Sequence, residues 1–193
     1  MHGGDVPWPA YAVSWWYVPD QNWPLLVDTL AQHLNVVTSV IHYCGQIIAY
    51  NGSIMSNMSE YCSDGNGGGV MPALASLGIR NELWLQGSVD DIQSYRTLWG
   101  DTTHSIAALV DIAQQYRLDG WNIDIEPSSS TADDAVVYAH WLSVLKSALH
   151  EIGVRLTVDV ATWSPVLAQF ETLAPAVDRL MDMEVSKVHR CIP

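Results

Sequence analysis

Short apolar runs alternate along this chain with stretches whose apolar residues recur every three or four positions, the pattern of strands alternating with helices. Residues 11–18 read as a first strand, broken by Pro19-Asp20, and Asn22 is placed to cap a helix over 23–34. Residues 36–43 read as a second strand. A stretch rich in Gly, Ser and Asn over 44–69 reads as a long loop. A short helix over 70–77 leads to a third strand over 80–85. The clearest helices cover 101–116, with Ile106, Leu109, Val110 and Ala113 on one side, and the stretch whose apolar face is Tyr138, Trp141, Leu142, Leu145, Leu149 and Ile152. The second helix opens at Thr131-Ala-Asp-Asp134, which resembles a capping box, and Gly153 ends it. Strands over 120–125, 155–160 and 179–185 complete the pattern, with a weaker helix over 166–173. Strand–helix alternation of this kind predicts an α/β fold with a parallel sheet.

The fourth strand carries chemistry. Residues 119–126 read Asp-Gly-Trp-Asn-Ile-Asp-Ile-Glu. Side chains alternate across a strand, so Asn122, Asp124 and Glu126 share one face while Trp121, Ile123 and Ile125 share the other. Charges in a row are costly to bury unless paired or used. Pro127 and a Ser-rich turn follow at once, which puts Glu126 at the strand's C-terminal end, where a (β/α) barrel keeps its catalytic residues.

This row resembles the signature strand of the family-18 glycoside hydrolases, the chitinases and their relatives, whose pattern is Asp-x-x-Asp-x-Asp-x-Glu. Asp119, Gly120, Asp124 and Glu126 match, and Asn122 replaces the middle Asp, as in the di-N-acetylchitobiase-like branch. Residues 156–165, Leu-Thr-Val-Asp-Val-Ala-Thr-Trp-Ser-Pro, resemble that branch's fifth strand and following loop. The resemblance covers roughly 105–184. It implies an incomplete (β/α)8 TIM barrel with about six of eight β/α units, in a single partial catalytic domain over 1–193 whose last residues, 185–193, form an atypical tail. A full barrel takes about 250 residues, so truncation after the sixth strand is expected; the alternative is a natural six-stranded open sheet.

The same resemblance implies hydrolysis of a β-linked N-acetylglucosamine bond, in chitin oligosaccharides or the chitobiose core of N-glycans, with neither metal nor organic cofactor. The substrate assists: its 2-acetamido oxygen attacks the anomeric carbon. By position Glu126 is the acid and then the base, Asp124 holds the acetamido N–H, and Asn122 hydrogen-bonds Asp124. Asp119 and Gly120 secure the strand's entry. Partial burial and the neighbouring Asp124 carboxyl are expected to push the Glu126 carboxyl upward. Trp163 and Met181 are the expected substrate-binding residues, Trp163 by stacking on a sugar or, as the plainer alternative, by packing. Asp159 is expected to pair structurally. Three departures stand against the pattern. Met183 stands where the family has a Tyr, Glu184 where it has an Asp, and Gln86-Gly87-Ser88 only faintly echoes the family's Gly-Gly loop.

Composition narrows the rest. A formal charge of −13 argues against a nucleic-acid partner, and no apolar run is long enough to span a membrane. Cys44 and Cys62 flank a polar stretch holding two sequons, Asn51-Gly-Ser and Asn57-Met-Ser. A disulfide between them fits an oxidising compartment; two reduced thiols are the alternative, and Cys191 is left over. Met1-His-Gly-Gly-Asp is not a signal peptide, so the chain is cytosolic or an incomplete gene product, with a secreted or lysosome-like lumen favoured. Trp15 and Trp16 adjoin on the first strand. His42 reads as a satisfied core residue, and His104 and His140 carry no motif. Two rival functions remain: a non-catalytic glycan-binding relative, and a metal-dependent barrel hydrolase using Asp124, Glu126 and Glu184.

Overall fold

The structure, a computed structural model, describes residues 23–50, 52–59, 62–63, 68–87 and 91–183. The expected first strand over 11–18, with Trp15, Trp16 and Asn22, lies outside these residues. So do Asn51, Ser88, Glu184, Cys191 and the tail over 185–193.

Helix α1 (Trp23–Ala31) is followed by β1 (Ser39–His42), the antiparallel pair β2 (Gly45–Tyr50) and β3 (Ser53–Met58), and α2 (Val70–Ser76). Then come β4 (Arg80–Gly87), α3 (Ile92–Gly100), α4 (His104–Tyr116) and β5 (Gly120–Asp124). The chain continues through α5 (Asp134–Glu151), β6 (Arg155–Val160), the short α6 (Phe170–Leu173), a 3-10 turn (Ala174–Ala176) and β7 (Arg179–Asp182). Strands β1, β4, β5, β6 and β7 run parallel in that spatial order, and the sheet curls into a half-barrel. An α/β fold with a parallel sheet is thus present, and the number of barrel units is carried only as far as these five strands.

The helices follow their apolar periodicity. In α5, Tyr138, Trp141, Leu142, Leu145 and Leu149 are all buried. Gly153, at φ 76°, turns the chain out of α5, and the Val154 N–H donates to Leu149 O at 2.9 Å. The outer face of β5 packs against these helices: Trp121, Ile123 and Ile125 have no exposed surface, and Trp121 Nε1 donates to Leu109 O on α4 at 3.2 Å. A buried side chain of this size contributes about 1.5–3 kcal/mol. That fixes which face of β5 points into the barrel.

Four expectations need correction. The loop over 44–69 contains the β2–β3 hairpin, with Tyr50 opposite Ser53 and Gly52 at φ 77° in the turn. Asn-Gly between two runs of β-forming residues is a strong hairpin signal. The Cys44–Cys62 disulfide closes the open end of that hairpin, where the Ser59 N–H also donates to Cys44 O. Second, α3 had no counterpart in the sequence reading; Asp91 Oδ1 caps it by accepting from the Gln93 N–H. Third, the helix expected over 166–173 is helical only from Phe170, because Gln169 leaves helical geometry (ψ 57°) and single turns precede it. Fourth, the capping box is half formed. The Asp134 carboxylate accepts from the Thr131 N–H at 2.8 Å, but the Thr131 hydroxyl also donates to Asp134, and Arg96 completes the cluster at 2.7 Å. The Arg96 guanidinium holds the Asp134 carboxyl down at about 2.

Candidate active site at the end of the fifth strand

Asp119 secures the entry of β5. Its carboxylate accepts from the Asn81 N–H at 2.8 Å, its own N–H donates to Asn81 O, and its carbonyl accepts from the Arg155 N–H. Gly120 is glycine for a packing reason: a Cβ there would lie 2.8 Å from Glu82 Cγ and 3.4 Å from Arg155 O. Glu82 itself is buried at the base of the inner face. It accepts from the Ser39 and Thr157 hydroxyls, and Arg179 Nη2 stands 3.7 Å from its Oε2. Burial pushes the Glu82 carboxyl up; Ser39, Arg179, Arg80 and Thr157 pull it back.

Above this layer the inner row of β5 climbs from buried Asn122 through half-buried Asp124 to exposed Glu126. Asn122, expected to hydrogen-bond Asp124, instead donates through Nδ2 to Asp159 Oδ1 on β6 at 2.8 Å and faces Met181 Sδ on β7 at 3.9 Å. Trp84 Nε1 on β4 donates to Asp124 Oδ2 at 2.9 Å, and the Trp84 ring lies 5.1 Å from that of Tyr43. Trp163 Nε1 donates to Glu126 Oε2 at 3.1 Å, with the Trp163 ring half exposed. So the structure gathers Asn122, Asp124, Glu126, Trp163 and Met181 at one end of the sheet. Cys44 and Cys62 lie apart from them in the hairpin.

Two serine clasps hold Trp163 in place. Ser130 Oγ and Ser164 Oγ both donate to Pro127 O, at 2.8 and 2.9 Å, and the Val166 N–H donates to Ser130 Oγ. These bonds tie the turn after β5 to the turn after β6. They fix the Glu126 side of the site against the Trp163 side.

The electrostatics differ from expectation in one respect. Glu126, expected to be partly buried, is exposed, and the burial falls one step back, at Asp124. Burial first, then the Glu126 carboxyl and the Asp159 charge, push the Asp124 carboxyl up to about 8, against the Trp84 hydrogen bond. Asp124 therefore favours its protonated form at neutral pH, hydrogen-bonded to the Glu126 carboxyl. Asp159 is raised to about 6, by burial first, partly offset by the Asn122 hydrogen bond.

Trp84 was missed by the sequence reading. The signal was available: Glu82-Leu-Trp-Leu-Gln86 alternates, with Leu83 and Leu85 fully buried on the helix side, which sets Trp84 on the inner face with Glu82. His42 sits in the core, its Nε2 2.8 Å from Asn81 Oδ1, and burial lowers it to about 4. For the metal-dependent rival, Glu184 lies outside the described residues, and among the described residues no group of three His, Cys, Asp or Glu side chains is arranged to hold a metal ion. Among the described residues no helix is long and apolar enough to cross a membrane.

No protein-family model and no curated protein sequence matches the chain. Its fold matches solved structures. It is similar to a chitinase from Chromobacterium violaceum, with TM-score 0.69 and 19% identity over 89% of this chain and 54% of that one. It is similar to a chitinase from Bacteroides thetaiotaomicron, with TM-score 0.68 and 14% identity over 89% and 52%. A third is a mutant of catalytic domain 2 of the Ostrinia furnacalis Group II chitinase, in complex with penta-N-acetylchitooctaose, with TM-score 0.60 and 19% identity over 76% and 42%. The chain spans about half the length of these structures, and at such identities the likeness is one of fold.

Proposed function

We propose that the protein is a chitinase-type glycoside hydrolase acting on a β-linked N-acetylglucosamine glycan, either a chitin oligosaccharide or the chitobiose core of an N-glycan. The observation that carries this reading is the Asp124–Glu126 pair: an exposed carboxyl backed by a half-buried one whose burial pushes its carboxyl up. The Ostrinia furnacalis complex with its N-acetylglucosamine oligosaccharide supports the choice of glycan. Asn122 in the row keeps the di-N-acetylchitobiase-like branch as the finer assignment.

The chemistry follows from the pair. A substrate acetamido N–H donates to Asp124, which favours its ionised form and passes the shared proton to Glu126. Glu126 then protonates the leaving glycosidic oxygen, while the acetamido carbonyl oxygen bonds to the anomeric carbon and forms an oxazolinium ion. Glu126, now a carboxylate, takes a proton from the water that opens this intermediate, and the anomeric configuration is retained. The Trp163 ring offers a sugar-stacking face beside the acid. Turnover of a chito-oligosaccharide tests the reading: Glu126→Gln should cut kcat by about 10²–10⁴-fold. Near-full activity in that variant would refute the assignment.

One observation favours a second reading, a glycan-binding protein without turnover. Met183, just past β7, brings no hydroxyl to the site to hold an acetamido carbonyl. Tight oligosaccharide binding that Glu126→Gln leaves intact, with no hydrolysis by either form, would establish it.

A further inference from the structure

Asp159 is 4% exposed, on the inner face of β6. The β5–β6 register pairs Asn122 with Thr157 and Ile123 with Val158, which sets Asp159 beside the Asn122–Asp124 row. A buried carboxylate is costly without a charged or multiple hydrogen-bonding partner. The nearby cation, Arg179, directs Nη2 towards Glu82 Oε2 and Met181 Sδ, at 3.7 and 3.6 Å. Asp159 also accepts a hydrogen bond from a neutral amide, Asn122 Nδ2. That bond decides the orientation of Asn122. With Nδ2 committed to Asp159, Asn122 Oδ1 is buried with no donor, and Asp124 Oδ1 is buried with no donor while Asp124 is ionised. The stranded Asp124 oxygen, in a carboxyl paired with that of Glu126, creates a demand for one hydrogen there.

We propose that Asp159 is a positioning residue of this site: its carboxylate, delivered by the neighbouring strand, fixes the Asn122 amide and keeps the shared proton on the Asp124–Glu126 pair. The proposal rests on the reading of that pair as the reacting carboxyls. Asp159 touches neither glycan nor reacting atom; it acts through Asn122 and through its charge.

The charges around the pair agree with this role. Asp124 faces Glu126 on its own strand, Trp84 on β4 and Asp159 on β6, and its charge also reaches the buried Tyr138 phenol on α5. Asp159 faces Asn122, Glu126, Arg179 and Glu82. Burial pushes the Asp159 carboxyl up less, to about 6, than the Asp124 carboxyl, to about 8, so Asp159 ionises first as pH rises. Once Asp124 ionises it has no proton to pass to Glu126.

The test is Asp159→Asn, which removes the charge yet retains an oxygen to accept from Asn122 Nδ2. In the free protein, carboxyl titration followed by infrared or carbon NMR spectroscopy should show the transition near pH 8 moving down by about half a unit or more. In hydrolysis of a chito-oligosaccharide, kcat should fall with KM little changed, and the alkaline limb of the pH profile should move the same way. Asp159→Glu, which keeps the charge, should keep the high transition. If Asp159→Asn does not fold, Asp159→Ser carries the same titration. A folded charge-removing variant whose high transition stays in place overturns the proposal. A protein that hydrolyses nothing, but whose transition moves as described, upholds the role of Asp159 and removes the hydrolase reading instead.

Discussion

Replacing Asp124 by Asn should abolish turnover and stabilise the protein, by an amount that grows with pH. The Asp124 carboxyl titrates at about 8 in the folded protein against 3.8 ordinarily. The folded state therefore binds this proton more tightly than the unfolded chain. Its contribution to stability is fully present below about pH 4, declines as pH rises, and is lost beyond about pH 8. About four units at 1.36 kcal/mol each set a ceiling near 5–6 kcal/mol, roughly. The neighbouring Glu126 carboxyl and Asp159 charge account for part of that shift, and Asp124 is only half-buried, so about 3 kcal/mol is the expected gain at pH 9. In a chain of this size that is about 6–12 °C in Tm. The carboxamide suits the pocket, since Trp84 Nε1 still has an oxygen to donate to and the new N–H groups enter a space already short of donors. Urea unfolding of both forms at pH 5, 7 and 9 measures the difference. A gain smallest at pH 5 and largest at pH 9 is expected. An equal gain at all three values, or a loss at pH 9, would show that Asp124 does not hold a proton through burial.

Other outcomes follow from single contacts. Trp163→Phe keeps the ring but removes the donor to Glu126, and should lower kcat/KM several-fold, by about 1 kcal/mol; Trp163→Ala should also raise KM, and unchanged kinetics in both would remove Trp163 from the site. Gly120→Ala puts a Cβ against the held Glu82 side chain and should cost about 1–3 kcal/mol, seen as a lower urea midpoint at constant slope; a full-strength midpoint would mean that Glu82 moves freely. Joint replacement of Cys44 and Cys62 by Ser opens a loop with a sequence separation of 18 and should cost about 3 kcal/mol. Identical melts for this variant and the parent under oxidising conditions would count against the bond.

The parts of the fold visible in the sequence are those in which one periodicity acts alone. Helices α4 and α5 each bury one clean apolar stripe, and β5 alternates without interruption, so Trp121, Ile123 and Ile125 and the opposing row could be placed by counting. The hairpin was obscured because Asn51-Gly52-Ser53 reads equally as a sequon and as a turn, and the Gly- and Ser-rich stretch after it drew the whole of 44–69 towards a loop. Helix α3 presents Ile92, Tyr95, Leu98 and Trp99 at helical spacing in nine residues, a stripe too short to stand out. The site was legible where it lies along one strand. Trp84 and Asp159 reach it from β4 and β6, and their bonds to Asp124 and Asn122 depend on strand register, which no single stretch of sequence encodes. The misplaced burial at Glu126 has the same origin, because how far a strand end projects beyond the sheet is set by its neighbours.

The most direct test of the hydrolase reading compares two glycosides that differ only at the second carbon, one bearing the acetamido group and the other a hydroxyl. If the acetamide is the nucleophile and Glu126 its acid, the protein cleaves the first with retention of configuration and leaves the second untouched. Equal rates on the two would contradict it.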